Sequence, residues 1–399
     1  MRLSKLSLVG FVATTQWVFL FSLFGVVLQP DIVLLFHGLS NSLFVPFFAL
    51  ANLIFLGSLF LFSRVKFING TDKIVLLLFL LQIVLILKNF GFSGVTRNSW
   101  IAYSLVFYFF GRLAQHTEIF SLNHFLRGLF ISAFLHVVVS VSLRVGFILN
   151  VPELVIAGSN IAGFQWKGVF LNRATGLFSS PLTLSGFLLL NLCVLTYFVV
   201  ERRRLTWLFA LVLFGFLLTV SRGSFLAFAV FALILISSKP QILKNKVVLF
   251  SLAIMSVLTL VMLQLGVLNF DRLFSSASLE VSTSGRSENH STHLVDWTDS
   301  TLSIFFGDSS NQLGIDSDVL NYVFNFGIFV LVGYFALFYS LLRSPVGKVG
   351  IYFSAGLIAK LVDGLLSGSS LGPPTIFAFF YLIGIWVGYQ RVGSNRATW

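Results

Sequence analysis

Long apolar runs recur from one end of this chain to the other, most of them 16 to 22 residues in length. A helix needs about 20 such residues to cross the roughly 30 Å of hydrocarbon in a bilayer. There, every backbone N–H and C=O must find its partner within the protein, and a helix does this with its own residues. The sequence therefore predicts an all-α polytopic membrane protein. Spans are expected at 6–28, 43–63, 74–90, 99–114, 128–149, 182–200, 205–220, 225–238, 247–268, 319–341, 349–366 and 374–390, about 12 transmembrane helices in all. Only 10% of the chain is charged and 57% is hydrophobic, whereas a soluble domain is about 25% charged. Residues 1–399 are expected to form a single membrane domain with no soluble domain.

The formal charge of +12 would suit a nucleic-acid binder, but the basic residues sit in short loops between apolar runs. That distribution excludes nucleic acid as a partner and instead sets orientation. Seventeen of the 26 Lys and Arg fall at the termini and in alternate loops. They include Arg64, Lys66 and Lys73, Arg112 and Arg127, Arg202 to Arg204, and Lys239, Lys244 and Lys246. This face is read as cytoplasmic, with both termini on it. The apolar run from Leu6 to Leu28 is too long for a signal-peptide core and is read as a retained first span. Cys193 is the single cysteine, so no disulfide can brace the outward loops from within the chain.

Two outward loops are long, at about 150–181 and 269–318. The first is semi-apolar, with Phe164, Trp166 and Phe170, and ends in Asn172-Arg173. The second holds eight of the chain's 14 acidic residues, among them Glu288, Asp308, Asp316 and Asp318, and two of its six histidines, His290 and His293. Its Ser/Thr-rich composition is that of a solvated loop.

Between the runs ending at Leu218 and starting at Phe225 lies Thr219-Val220-Ser221-Arg222-Gly223-Ser224. A charge at mid-membrane costs about 2.5–3.5 kcal/mol on insertion scales, which makes Arg222 a functional candidate. Arg204 and Lys239 are both assigned to the cytoplasm, so the chain must cross outward and return between them. Two passes in so few residues give arms of about 24 Å each, so the apex is expected slightly below the outer surface. Gly223 permits a tight reversal, and Ser221 or Ser224 can cap the returning helix. A recessed arginine presents a fork of donors suited to phosphate oxygens; it could equally snorkel to lipid headgroups. Arg173 begins a second cluster, through Gly176 to Pro181, and Pro181 suits the first turn of the next helix. Arg286 is a third outward arginine. Lys360 and Asp363 share one helix face and can neutralise each other or mark an ion path. His136 and Arg144 share a span and a face.

Arg173-x-x-Gly176-x-Phe178-x-x-Pro181, followed by a span, a basic turn and Thr219-x-Ser221-Arg222-Gly223, resembles the bacterial O-antigen polymerase and ligase superfamily. The likeness extends to twelve spans with the main outward loop between the ninth and tenth. It is sharp only over about 173–224 and 316–328. At the start of the tenth span, where a ligase carries histidine and a small polar residue with glycine about ten residues on, this chain has Asp316-Ser317 and Gly327. That departure resembles the polymerases.

The resemblance implies a metal-independent membrane glycosyltransferase of the GT-C type, without a cofactor, in a bacterial cytoplasmic membrane. It would polymerise oligosaccharide repeat units on the outer side, from polyprenyl-pyrophosphate-linked donors to lipid-linked acceptors, alongside a flippase and a chain-length regulator. Pyrophosphate is already a good leaving group, so the site must chiefly supply positive charge as the glycosidic bond breaks. Arg222, Arg173 and Arg286 are the candidates for the pyrophosphate. Asp316 is the candidate base for the acceptor hydroxyl, with His290 in reserve. The lipid tail would occupy a groove between the Phe-rich spans. Two other readings are a ligase moving glycan to lipid A core or protein, and a flippase or other transporter of lipid-linked oligosaccharide. A flippase should carry its basic residues inside the spans rather than at outward loop ends.

Overall fold

The computed structural model describes residues 70–113, 122–148, 174, 181–244, 294–295, 297–298, 300–307, 318–343, 347–366 and 375–392. The expected spans at 6–28, 43–63 and 247–268 lie outside these residues. Among the described residues there is no strand. The helices are α1 (Gly70–Leu113), α2 (Leu122–Ile148), α3 (Pro181–Arg202), α4 (Thr206–Leu218), α5 (Arg222–Ser238), α6 (Thr301–Phe306), α7 (Asp318–Leu342), α8 (Gly347–Leu366) and α9 (Thr375–Val392). A 3₁₀ turn, Pro240–Lys244, follows α5.

Four helical stretches among these are long and apolar enough to cross a membrane: Gly70–Asn89, Pro181–Arg202, Tyr322–Leu342 and Val349–Leu366. Shorter apolar helices accompany them, including Thr206–Leu218 and Arg222–Ser238. Large side chains such as Leu77, Leu233, Phe335 and Tyr339 are more than half exposed. A membrane-embedded protein accounts for both observations, since lipid is the solvent such side chains can face.

The backbone of α1 is helical throughout its 44 residues, yet α1 is two passes. A straight helix would separate Asp72 from Arg112 by about 60 Å. Instead Arg112 Nε donates to Asp72 Oδ1 at 2.9 Å and Arg112 Nη2 donates to Oδ2 at 3.2 Å. Tyr108 Oη donates to the same carboxylate. The chain therefore doubles back within α1, in keeping with separate spans expected at 74–90 and 99–114. Arg112, which composition assigns to a loop, is 3% exposed, and Asp72 is 4% exposed.

Helix α9 packs along α1, and glycine sets how closely. A Cβ at Gly111 would lie 2.0 Å from the Tyr381 carbonyl oxygen, and one at Gly384 would lie 1.9 Å from that of Tyr108. Such small-residue contacts let helix backbones meet where lipid offers no hydrophobic drive to association. Helix α3 is the hub of the other side, touching α2, α4, α5, α8 and α9. Its apolar window is 78% buried, against 33–44% for the other three candidate spans. Leu184, Leu188, Leu189, Leu192 and Leu195 are fully or almost fully enclosed. The α3–α4 turn is made with Arg203 and Leu205 at φ 52° and 60°, each a left-handed conformation costing about 1–2 kcal/mol. It leaves α4 packed on α3 and α2, while α5 packs chiefly on α8.

Two expectations change here. The span at 319–341 is not one continuous helix, because Gly327 (φ 75°, ψ 179°) interrupts α7. And the end of the second outward loop is not simply solvated. Helix α6 lies against α7, with Phe305 stacked on Phe329 at 5.2 Å between ring centroids.

Candidate functional site

The turn between α4 and α5 is built by Val220, at φ 48°. This corrects the expectation for Gly223, which lies within the first turn of α5. The turn closes with Val220 N–H donating to Leu217 O at 3.1 Å, and Thr219 Oγ1 donating to Phe216 O at 2.7 Å. Ser221 is the N-cap residue of α5 in an extended conformation, but its hydroxyl makes no cap bond to the backbone. It points to Ser224 Oγ, 3.1 Å away.

Ser224 is the junction of the site. Its hydroxyl donates to Asp363 Oδ1 at 2.7 Å and lies 2.8 Å from Ser185 Oγ of α3. Asp363 Oδ2 accepts from Lys360 Nζ at 2.7 Å, and Lys360 reaches the Gly186 carbonyl at 3.4 Å. Helices α3, α5 and α8 thus meet through one buried polar network. Ser185 and Ser224 are fully enclosed, as is Asp363, and Lys360 is 1% exposed. A buried charge requires this kind of complete partnering. Both oxygens of Asp363 are engaged and no solvent reaches them, so this carboxylate holds the apex in place. The Lys360–Asp363 pair expected from spacing is present, and its connection to the apex is the new element.

Arg222 is the first residue of α5 and half-buried. It therefore adds a positive side chain to the first turn of a 17-residue helix, whose dipole favours anions at that end. The second cluster also comes to this turn. Ala174, the residue after Arg173, is buried, and its N–H donates to Leu218 O at 2.9 Å. One backbone bond therefore ties the two motifs that sequence spacing could only suggest belong together. Arg173, Arg286, His290 and Asp316 lie outside the described residues, so of the five proposed site residues the structure places Arg222. His136 faces the interior as expected, against the Phe187 ring at 5.4 Å between centroids; the side chain of Arg144 lies outside the described residues.

A cavity of about 150 Å³ lies between α7, α8 and α9. Tyr322, Tyr334, Phe338, Phe379 and Phe380 line it, and Lys360 contributes the one charge. Lys360 thus belongs both to the network under Arg222 and to the wall of an aromatic groove. Val319, three residues after Asp316, is also part of that wall. At the other end of these helices Lys239 pairs with Glu201 at 2.5 Å, Tyr352 Oη donates to Glu201 at 2.9 Å, and Lys239 lies over the Tyr352 ring at 4.8 Å. This second cluster fastens the far ends of α3, α5 and α8 beside exposed Arg202, Arg203 and Arg204.

The chain matches no protein-family model, no curated protein and no solved structure. A functional reading therefore rests on the chemistry of this site and on the motifs alone.

Proposed function

We propose that the protein is a polytopic GT-C-type glycosyltransferase of about 12 spans that polymerises polyprenyl-pyrophosphate-linked repeat units on the outer side of a bacterial cytoplasmic membrane. The observation that carries the reading is Arg222. It stands at the N-terminus of α5 in a turn fixed from below by Ser224, Asp363 and Lys360 and joined at its side by the backbone of Ala174. A rigid, recessed cationic corner is what a departing pyrophosphate requires. The 13-residue α4 is only about 20 Å long, well short of about 30 Å of hydrocarbon, which supports a recessed apex.

In this reaction the bond between the donor anomeric carbon and the pyrophosphate oxygen breaks, and the pyrophosphate leaves with the electron pair. A new bond forms between that carbon and the acceptor hydroxyl oxygen. Asp316, with His290 as the alternative, takes the hydroxyl proton. Arg222, Arg173 and Arg286 meet the negative charge on the phosphate oxygens, so no metal is needed. The aromatic groove beside Lys360 accommodates the lipid tail of one substrate.

The test is replacement of Arg222 by Ala and, separately, by Lys. Each should abolish polymer without affecting membrane insertion, so that cells display single repeat units in place of a length ladder. The Lys variant keeps the charge but loses the fork. Normal ladders with both would overturn the assignment.

A further inference from the structure

A second cavity, of about 90 Å³, lies between α3, α8 and α9. It is distinct from the groove beside Lys360, although Phe379 belongs to both walls. Its lining is aliphatic and aromatic. It runs from Leu190 to Phe198 on α3 and from Leu357 back to Val349 on α8, about 12 Å along each helix. One leaflet of hydrocarbon is about 15 Å deep, so the groove matches most of that depth.

One end of the groove is basic. Tyr197, Phe198 and Tyr352 form its wall there, and Glu201 and Lys239 fasten that end. Arg202, Arg203 and Arg204 follow directly and are exposed. Arg204 N–H donates to Phe198 O at 3.1 Å, so the arginine run is bonded to the wall itself. Arg203 is held at φ 52°, a strained conformation for a residue with a side chain, and such strain gathers where ligands are clamped. Among the described residues the side chains of Arg203 and Arg204 enter no ion pair, and Glu201 is already taken by Lys239 and Tyr352. Trp207 is 64% exposed, edge-on to Phe134 at 6.2 Å. An exposed tryptophan beside arginines marks the headgroup level of a bilayer. Next to Tyr352, Phe353 stacks on Trp386 at 4.6 Å between ring centroids, and both line the groove. Trp386 is 3% exposed, and its indole N–H has no acceptor among the described residues. A buried tryptophan N–H usually finds one; a lipid ester carbonyl is an acceptor of the kind this wall lacks.

We propose that this groove holds one acyl chain of an anionic phospholipid, with its phosphate on the turn that carries Arg202 to Arg204. The apolar slot suits the chain, and guanidinium forks suit the phosphate oxygens. A zwitterionic headgroup brings a cation to the same arginines, so a net negative one is the better match. A free phosphate meets the arginines alone and gains nothing from the groove. The site is separate from the substrate groove, and the inference does not depend on the glycosyl-transfer reading.

The experiment uses the full-length protein in nanodiscs of phosphatidylcholine containing phosphatidylglycerol with a diazirine on one acyl chain. Cross-linked peptides are mapped by mass spectrometry, and affinity is read by competition with unlabelled lipid. Cross-links should concentrate on 190–198 and 349–357. Phosphatidylglycerol should compete at least about 10-fold better than phosphatidylcholine. The double variant R203N/R204Q should weaken phosphatidylglycerol about 30-fold, since each arginine near the surface contributes about fivefold, and R203K/R204K should lose much less. Val194→Trp fills the groove from α3 and should weaken binding with every arginine intact. Equal competition by the two lipids overturns the inference. So do cross-links that avoid both segments, and so does unchanged binding in Val194→Trp, which would mean a headgroup contact without a seated chain. Displacement by glycerol 3-phosphate as effective as that by the lipid also overturns it, since the site would then be one for a soluble anion. If a variant does not fold, the comparison of the two lipids on the wild-type protein still decides.

Discussion

Removing the Asp363 carboxylate tests whether the apex is held by a buried charge or by ordinary packing. At 2.7 Å and an effective dielectric constant of about 20, the Lys360–Asp363 attraction is about 6 kcal/mol gross. Desolvation of both ions offsets most of it. The net effect of breaking the pair is larger than the net value of forming it, because Asp363→Leu strands the Lys360 ammonium at 1% exposure; the loss should be about 3–5 kcal/mol. Lys360→Met strands the carboxylate and should cost a similar amount. The double variant K360M/D363L removes both charges and should recover most of the loss, since apolar pairs of similar volume often match a buried ion pair. Ser224→Ala removes a hydroxyl only and should cost about 0.6 kcal/mol, and not above about 1.7 kcal/mol, the range for such bonds within a bilayer. Reversible unfolding of the purified protein in bicelles gives all four values and the coupling energy. Single losses below about 1 kcal/mol that simply add in the double variant would refute the reasoning, because they would mean that water reaches the pair.

Gly327→Ala should destabilise the protein by at least about 1–3 kcal/mol from backbone conformation alone, with a Cβ meeting Phe305 O at 2.2 Å in addition; equal unfolding midpoints for variant and wild type would contradict the break in α7. Gly384→Val should separate α9 from α1, since even a Cβ there meets the Tyr108 carbonyl at 1.9 Å, and an engineered cysteine pair across this interface should lose cross-linking. Asp316→Asn should lower turnover while donor binding holds, measured by single-turnover kinetics against equilibrium binding; unchanged turnover would remove Asp316 as the base.

The sequence made the helices around the apex legible with little error. The apolar runs at 205–220 and 225–238 became Thr206–Leu218 and Arg222–Ser238, because the polar Thr219-Val220-Ser221 interrupts them and a membrane helix cannot absorb such a run in silence. Pro181 begins α3 as its lack of an N–H allows. What lies beneath the apex was not legible. Ser224 and Asp363 are 139 residues apart, and an apolar helix with weak periodicity does not declare which neighbour each face meets. The left-handed position of the turn falls on Val220, three residues before the glycine that could have used it. Gly327 read as the motif glycine at the start of the tenth span; that it breaks α7 goes with the close approach of Phe305, in an expected loop, whose carbonyl oxygen a Cβ at Gly327 would meet at 2.2 Å.

The two buried ion pairs among the described residues differ in when a growing chain can form them. Lys360 and Asp363 are three residues apart, so the helix that carries them completes its pair as it is made and enters the bilayer already close to neutral. Asp72 and Arg112 are separated by 40 residues. At about 5–20 residues per second of synthesis, Asp72 waits about 2–8 s for its partner. Throughout that interval the first arm of α1 carries an uncompensated carboxylate in its opening turn, which holds that end at the water interface until the second arm returns. The pair thus fixes an order of events: the hairpin closes only after both arms have been delivered, and the seat of α9 on Gly111 does not exist before then.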